Sequence, residues 1–457
     1  MKITQFVTDS LGDASYIVIS DGIAAVVDPQ RDVRPFLAAA REHGAEIRYV
    51  FETHVHNDYV SGGRELAALG ATIVAPASSG LEFPHVDAND GDEISVGCAR
   101  LRAVAAPGHT YEHTAYLAID EDGVTHGAFT GGSLLVGSAG RSDLLGPDHS
   151  EELTQLQWQS AHKIAALLMP ESQILPTHGA GSFCSTTEVG GQRTSTLANE
   201  QIINPALASV DFAAFRAGHL AYAAPVPGYY RHMALINRSG ARLYGEPPSP
   251  GRLTADALAS LNRSKVHLID VRGRFDFARG HVHESVLIDE STSMLAYFGW
   301  LVPFNAPLAL IVNNANQAER VTVDLFRIGY EDVRGYTTFS EWLASGRDFD
   351  VVPTVGPGAI GDALRSGTTR VIDVRFAYEH AAQPLPGAQQ RPIDRSHDWM
   401  PSLGTHPALV ICQSGQRAAM AASFLAAEGH DVKPYIDGGV EDVFAFNEAT
   451  PITTQKR

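Results

Sequence analysis

The chain has 457 residues, 44% of them hydrophobic, and a formal net charge of −18 at pH 7. Its length predicts about three domains, and its acidic excess argues against binding to nucleic acid or to an anionic membrane surface. Three cysteines are too few for a disulfide framework, so a reducing compartment is expected. Because the sequence shows neither a signal-peptide pattern nor an apolar run of membrane-spanning length, we expect a soluble, cytoplasmic protein. We also expect a homo-oligomer.

The first 120 residues alternate short apolar runs with amphipathic segments. The apolar runs predict strands over residues 14–19, 24–27, 47–51, 72–75, 94–96 and 101–105. The amphipathic segments predict helices over residues 33–43 and 63–69. Strands and helices that alternate in this way indicate a layered α/β domain.

A pair of histidines follows the predicted strand over residues 47–51. His54 and His56 are two residues apart, so both imidazoles leave the chain on the same side, and Asp58 comes next. Imidazoles and a carboxylate in this arrangement predict a metal site. A histidine-rich turn that contacts only water is the alternative.

Similar turns follow three later apolar runs: Pro107-Gly108-His109-Thr110, Phe129-Thr130-Gly131-Gly132 and Pro176-Thr177-His178-Gly179. In this order, after Thr53-His54-Val55-His56-Asn57-Asp58, the motifs resemble the metallo-β-lactamase fold, and within it the persulfide dioxygenase and glyoxalase II group joined to rhodanese modules. The resemblance implies an αββα sandwich with a metal in a cleft at one sheet edge. It also implies that His54 and His109 match the two histidines of the dioxygenase iron set, which a carboxylate completes.

The chain departs from this family pattern at two positions. Tyr59 replaces a histidine that would bind a second metal, and Gly132 replaces the carboxylate of the iron set. We therefore predict one metal per chain, Fe(II) or alternatively zinc. The predicted ligands are His54, His56 and His109, and the residues predicted to lie beside them are Asp58 and His178. A metal-free, degenerate site is the alternative.

Two nearby segments also resemble the family. Cys184 stands where persulfide dioxygenases fused to rhodaneses have a cysteine near the metal cleft, so it is predicted to bind substrate. A small buried residue that packs under the loop is the alternative. Arg141 and Asp143 are predicted to pair with each other rather than to contact substrate.

The second half of the chain contains a repeat. Residues 241–251 have the proline and glycine density of a linker. Beyond them, Leu268-Ile269-Asp270-Val271-Arg272 recurs as Val371-Ile372-Asp373-Val374-Arg375. The repeat predicts two α/β domains of about 100 residues each. They cover residues 252–350 (the first copy) and 353–452 (the second copy), after a metallo-β-lactamase-like domain over residues 1–240.

The two copies differ in one loop. In the second copy this loop reads Cys412-Gln413-Ser414-Gly415-Gln416-Arg417 and resembles the active loop of a rhodanese. Backbone N–H groups, the helix dipole and Arg417 would favour a thiolate at Cys412, and Gly415 would help to bind the transferred sulfur. A buried structural cysteine is the alternative. Asn313 takes the place of Cys412 in the first copy, which is therefore predicted to be an inactive rhodanese-like domain.

The resemblance implies an enzyme of sulfide and persulfide metabolism. A thiol persulfide and O₂ would react at the metal to give sulfite and a thiol. Cys412, supported by Arg417, would carry sulfane sulfur, for instance to sulfite. Two alternatives remain open: a zinc-dependent, glyoxalase II-like thioester hydrolase, and a degenerate metallo-domain fused to a rhodanese sulfurtransferase.

Overall fold

The computed structural model describes residues 1–179, 181–185, 192–209, 211–221, 224–404 and 406–449. They form two compact units, the first of Met1–Pro248 with Phe326–Gly329 and the second of Ser249–Leu325 with the chain from Tyr330 onward. The boundary after Pro248 falls inside the predicted linker over residues 241–251. Among these residues, no helix is long and apolar enough to cross a membrane.

The first unit contains two six-stranded sheets. The strands of the first sheet pair in chain order and are β1 (Lys2–Thr8), β2 (Asp13–Ser20), β3 (Ile23–Val27), β4 (Glu46–Phe51), β5 (Thr72–Pro76) and β6 (Val86–Ala88). Those of the second sheet also pair in chain order and are β7 (Glu93–Val96), β8 (Ala99–Ala105), β9 (Thr114–Ile119), β10 (Thr125–Gly131), β11 (Gln173–Pro176) and β12 (Ser195–Thr196).

Helices cover the outer faces of both sheets. The helices of the first unit are α1 (Arg34–Glu42), α2 (Gly63–Ala68), α3 (Pro147–Ala166), α4 (Leu197–Ile203), α5 (Pro205–Ala208), α6 (Phe212–Ala221) and α7 (Tyr230–Ser239). Phe36 of α1 and Leu66 of α2 pack on the first sheet, and Ala161 and Ile164 of α3 pack on the second. The predicted αββα sandwich is thereby confirmed.

Successive side chains of β2 pack alternately into two different hydrophobic cores. Tyr16 and Val18 join the core between the sheets, whereas Ile17 and Ile19 join the core under the helices. Successive side chains of a strand point to opposite faces, so a strand covered on both faces has every side chain buried. β2 is buried along its whole length for this reason.

The second unit contains two four-stranded parallel sheets of the same topology. The strands of the first copy are β13 (His267–Asp270), β14 (Val286–Leu287), β15 (Leu308–Val312) and β16 (Val333–Thr338), in the order β14-β13-β15-β16. Those of the second copy are β17 (Arg370–Asp373), β18 (Gln389–Gln390), β19 (Ala408–Ile411) and β20 (Val432–Pro434), in the order β18-β17-β19-β20.

The helices of this part of the chain are α8 (Ala255–Ala259), α9 (Arg274–Arg279), α10 (Met294–Leu301), α11 (Ala315–Arg327), α12 (Phe339–Ala344), α13 (Pro357–Ser366), α14 (Ala377–Ala382), α15 (Ser396–Trp399), α16 (Gln416–Ala427) and α17 (Val440–Ala449), with 3-10 turns at Ile393–Arg395 and Met400–Ser402.

The repeated Asp-Val-Arg motif makes the same ion pair in each copy. Arg272 Nη2 lies 2.6 Å from Asp270 Oδ2, and Arg375 Nη2 lies 2.6 Å from Asp373 Oδ2. Both arginines are buried, and each ion pair lies at the end of the central strand of its copy.

Candidate functional site

Five buried histidines meet where β4, β8 and β11 end and the next segments begin. They are His54, His56, His109, His113 and His178, and each is at most 2% exposed. The neighbouring rings lie close together, with the His54 centroid 4.9 Å from that of His109 and 5.2 Å from that of His178. The sequence motifs that follow separate strands are thus brought to one sheet edge, as predicted.

One set of three imidazoles is arranged to bind a metal. The ligand atoms of His54, His109 and His178 all lie within 4.8 Å of one another. His54 Nε2 is 3.3 Å from His178 Nε2, and two nitrogens bound to a tetrahedral zinc would be separated by about 3.4 Å. His109 Nε2 is buried and has no hydrogen-bond partner among the described residues. An unpartnered buried nitrogen beside two others fits a bound metal ion.

Hydrogen bonds to the other ring nitrogens aim all three Nε2 lone pairs inward. Thr53 Oγ1 donates to Asp28, so the same oxygen accepts from His54 Nδ1 at 2.8 Å. His109 Nδ1 lies 2.7 Å from the carbonyl oxygen of Arg141, which can only accept. His178 Nδ1 lies 2.9 Å from Asp13 Oδ1. Each Nδ1 therefore carries a proton, and Nε2 is the atom of each ring that can bind a metal, which at His178 displaces the second proton of the ring.

The ligand atoms of His56 do not lie with those of His54 and His109, in contrast to the predicted ligand set. Its Nε2 lies 3.3 Å from Asp28 Oδ1 and 3.4 Å from Glu52 Oε2, because two buried carboxylates attract the ring to that side. Its ligand atoms group with those of Asp58 and His178 rather than with His54 and His109. His178, predicted to lie beside the ligands, completes the three-imidazole set instead. The ligand set itself remains a prediction.

Burial and neighbouring charges separate the histidines into two classes. Burial, followed by the neighbouring imidazoles, holds the pKa of His54 well below its usual range. Burial likewise lowers the pKa of His109 to about 3. Burial alone would also lower the pKa of His178, but the carboxylates of Asp58 and Asp13 outweigh it and raise the pKa to about 10. Asp58 and Asp13 therefore stabilise positive charge at His178, and they would stabilise a bound metal cation in the same way.

The two departures from the family pattern have clear structural consequences. Tyr59 stacks on His56 at a centroid distance of 4.4 Å, and its hydroxyl donates to the carbonyl oxygen of Asp28 at 3.2 Å. It therefore fixes His56 instead of binding a metal. A Cβ at Gly132 would lie 2.3 Å from His109 Cδ2, so the ring of His109 occupies the space that a side chain would need.

His113 was missed by sequence reasoning. It is fully buried, stacks on His54 at 5.1 Å, and accepts a hydrogen bond from Gly132 N to its Nε2 at 2.9 Å. Its position four residues after His109 was the only signal. The Asp13 and Asp28 carboxylates were also missed as parts of the site, because an acidic residue at a strand end carries no distinctive pattern.

Cys184 and Arg141 lie near the histidine cluster. Cys184 is fully buried, and its thiol is 3.9 Å from the hydroxyl of Tyr230. Burial, and then the carboxylates of Asp58 and Asp13, raise its pKa well above the usual value, so it is a neutral thiol. Arg141 Nε donates to Asp143 Oδ1 at 2.8 Å, as predicted.

The Cys412 loop connects β19 to α16 and directs backbone N–H groups at the sulfur. Gly415 N lies 3.1 Å and Ala418 N lies 3.4 Å from Cys412 Sγ, and both donate to it. Gly415 has a φ of 86°, and a Cβ there would lie 2.3 Å from the carbonyl oxygen of Ile436. Glycine is thus required both by the backbone conformation and by the close approach.

Arg417 is held next to this loop rather than on the sulfur. Its Nη2 donates to Glu379 Oε1 at 2.7 Å, and its guanidinium lies 4.6 Å from the centroid of the Phe376 ring. Burial alone would lower the pKa of Arg417, but Glu379 and then Cys412 raise it further above its usual value. A permanent positive charge therefore stands beside the loop and stabilises an anionic sulfur.

The matching loop of the first copy is filled by its own side chain. Gln317 Oε1 accepts from Asn313 N at 2.7 Å, and Gln317 Nε2 donates to the carbonyl oxygen of Val271 at 3.0 Å. Asn313 has no nucleophilic sulfur, and the Gln317 side chain occupies the backbone N–H of Asn313. This geometry explains in physical terms why the first copy is predicted to be inactive.

Both parts of the chain are similar to known proteins. Residues 357–445 match the rhodanese-like domain family. That match lies in the second copy, so the rhodanese class of the first copy remains a prediction. Among solved structures, the chain is similar to a metallo-beta-lactamase from Staphylococcus aureus subsp. aureus COL, with 30% identity, a TM-score of 0.67, and coverage of 74% of this chain and 99% of that chain.

Curated relatives match a shorter region. A hydroxyacylglutathione hydrolase of Cereibacter sphaeroides is 34% identical over 160 residues, covering 34% of this chain and 58% of the relative. One of Gloeobacter violaceus is 37% identical over 140 residues, covering 29% of this chain and 54% of the relative. The chain therefore spans little more than half the length of these curated relatives.

Proposed function

Because the chain belongs to the metallo-β-lactamase fold family and carries a rhodanese-like domain in its C-terminal part, we propose that it is an enzyme of sulfide and persulfide metabolism with two reaction sites. One site oxidises a thiol persulfide at a single metal ion. The other transfers sulfane sulfur through Cys412, and sulfite is the acceptor.

The geometry at Cys412 carries this proposal. A fully buried sulfur that accepts two backbone N–H groups at a helix N-terminus, beside a fixed guanidinium, is suited to hold negative charge. The Cys412 thiolate attacks the outer sulfur of a persulfide, the S–S bond of the persulfide breaks, and a thiolate leaves. Sulfite then attacks the outer sulfur of the Cys412 persulfide, which gives thiosulfate and returns the Cys412 thiolate.

The Nε2 atoms of three histidines, His54, His109 and His178, would hold the metal. When bound, Fe(II) would supply open positions at which a persulfide and O₂ are held together. The net reaction converts a persulfide, O₂ and water into a thiol, sulfite and two protons. Three imidazole ligands bring no negative charge of their own to a divalent cation, so this set accepts an anionic ligand such as a persulfide.

Product analysis of three variants tests the proposal. With a thiol persulfide and O₂, the wild-type chain is expected to form thiosulfate. Cys412→Ser should consume O₂ as fast as the wild type but accumulate sulfite, because only the transfer step is lost. His54→Ala should form neither product from persulfide alone. Cys98→Ser, which removes the exposed thiol, is the matched control and should behave as the wild type.

Two results would contradict the proposal. Thiosulfate formation by Cys412→Ser at the wild-type rate would remove Cys412 from the reaction. The second result combines two observations: the wild type takes up no O₂ with a persulfide, and His54→Ala transfers sulfur to added sulfite at the normal rate. This result would indicate a degenerate metallo-domain joined to an active sulfurtransferase.

A thioester hydrolase is the second candidate. It is favoured by the relatives named hydroxyacylglutathione hydrolase and by the three-histidine set, which also suits zinc with a water as nucleophile. Zinc in the purified protein, with thioester hydrolysis and no O₂ uptake on a persulfide, would select this reading.

A further inference from the structure

Residues of the first copy hold the Cys412 loop in place. We propose that Arg274 and Asp289 are positioning residues for Cys412, so that the first copy acts as a brace for the sulfur-transfer loop of the second. The inference rests on the proposed role of Cys412 and extends it to a domain that has no nucleophile of its own. Two separate sets of contacts carry it, one through Arg274 and one through Asp289.

Arg274, the first residue of α9, reaches two carbonyl groups of the second copy. Its Nε donates to the carbonyl oxygen of Ile436 at 2.9 Å, and its Nη2 lies 3.5 Å from that of Ser414. The Ile436 carbonyl oxygen in turn lies against Gly415, at the place where a Cβ would come within 2.3 Å. Since Gly415 N donates to Cys412 Sγ, Arg274 fixes the backbone that supplies this donor.

Asp289 acts at the start of α16. Its Oδ1 accepts from Gln416 Nε2 at 2.9 Å, and the residue is 7% exposed. Gln416 is the first residue of the helix, and Ala418 N, two residues later, donates to Cys412 Sγ. Asp289 therefore anchors the turn that supplies the second donor.

A third contact reaches the guanidinium beside the loop. Trp300 of α10 packs edge-on against Phe376 with ring centroids 5.3 Å apart. The Phe376 ring lies under Arg417. The two backbone donors and Arg417 thus each have a partner from the first copy, reached through one intervening residue. A domain with a filled loop would be retained for this positioning.

Substitution of Arg274 in the full chain tests the brace. Arg274→Ala should lower kcat for sulfur transfer from a thiol persulfide to sulfite about tenfold, the loss expected for a weakened hydrogen bond to a charged group. KM for the persulfide should change less than about twofold, because Arg274 does not contact the donor. The ultraviolet absorbance of the Cys412 thiolate, measured against Cys412→Ser at neutral pH, should fall. Arg274→Lys should recover part of both, since an ammonium can donate to the Ile436 carbonyl.

Arg279→Ala is the matched control, because Arg279 lies on the same helix, is exposed, and pairs with Asp276. It should leave kcat and thiolate absorbance unchanged. If Arg274→Ala does not fold, Asp289→Ala gives the same test through Gln416, with Asp289→Asn as its conservative partner.

Unchanged kcat and thiolate absorbance in a folded Arg274→Ala would overturn the brace, as would a rise in KM at constant kcat. A wild type without transfer activity, whose thiolate absorbance nevertheless falls in Arg274→Ala and recovers in Arg274→Lys, would overturn the proposed function and leave the brace standing.

Discussion

Each histidine of the three-imidazole set is oriented by a different kind of partner. A hydroxyl holds His54, a backbone carbonyl holds His109, and a carboxylate holds His178. All three partners accept from Nδ1 and leave Nε2 directed at the same point. Oriented ligands of this kind bind metal more tightly than free side chains, because their rotational freedom is already lost.

The contrast between His178 and His56 gives a residue-level prediction. His178→Ala removes a member of the set and should weaken metal binding by more than about 100-fold, whereas His56→Ala should weaken it only about tenfold, as loss of a neighbouring group does. Metal content after dialysis against a graded chelator measures both. Stronger loss in His56→Ala than in His178→Ala would restore the set predicted from sequence, His54, His56 and His109.

At the scale of elements, the turn that ends β10 decides how the site is built. Gly131 and Gly132 let the rings of His113 and His109 approach the backbone, because a Cβ at either position would lie within 2.4 Å of an imidazole. In the resembled dioxygenases the second of these positions provides a carboxylate. Here the same space is taken by His109, and His178 is the residue that we propose as the third ligand.

Gly132→Asp therefore should not create a two-histidine, one-carboxylate site. The new Cβ would displace His109, and metal affinity should fall at least about tenfold rather than rise. Gly218→Ala, on the open face of α6, is the control and should bind metal as the wild type does. Tighter iron binding by Gly132→Asp, measured by the same chelator competition, would contradict this view of the turn.

The strand ends that carry the histidines could be predicted because apolar runs followed by Pro, Gly and His have a distinctive pattern. The predicted strand over residues 47–51 corresponds to β4 (Glu46–Phe51), and the predicted helix over residues 33–43 to α1 (Arg34–Glu42). The partners of the histidines could not be predicted. Asp13 opens β2, far along the chain from His178, and only the pairing of the sheets brings the two together.

At the scale of the whole molecule, the order of the domains along the chain could be predicted from the motifs. The repeat correctly predicted two α/β segments with similar sheets. The involvement of the first copy in the Cys412 site could not be read from the sequence. Arg274 and Asp289 lie in segments with no catalytic pattern, and their contacts depend on how the two copies pack within the second unit.

We propose that one chain oxidises a persulfide at a single metal and transfers sulfur through a cysteine. Metal analysis of the purified protein, combined with O₂ uptake on a thiol persulfide, tests it most directly. We predict one iron per chain and one O₂ consumed for each sulfur oxidised. Protein that binds no iron and consumes no O₂ with a thiol persulfide would contradict the account.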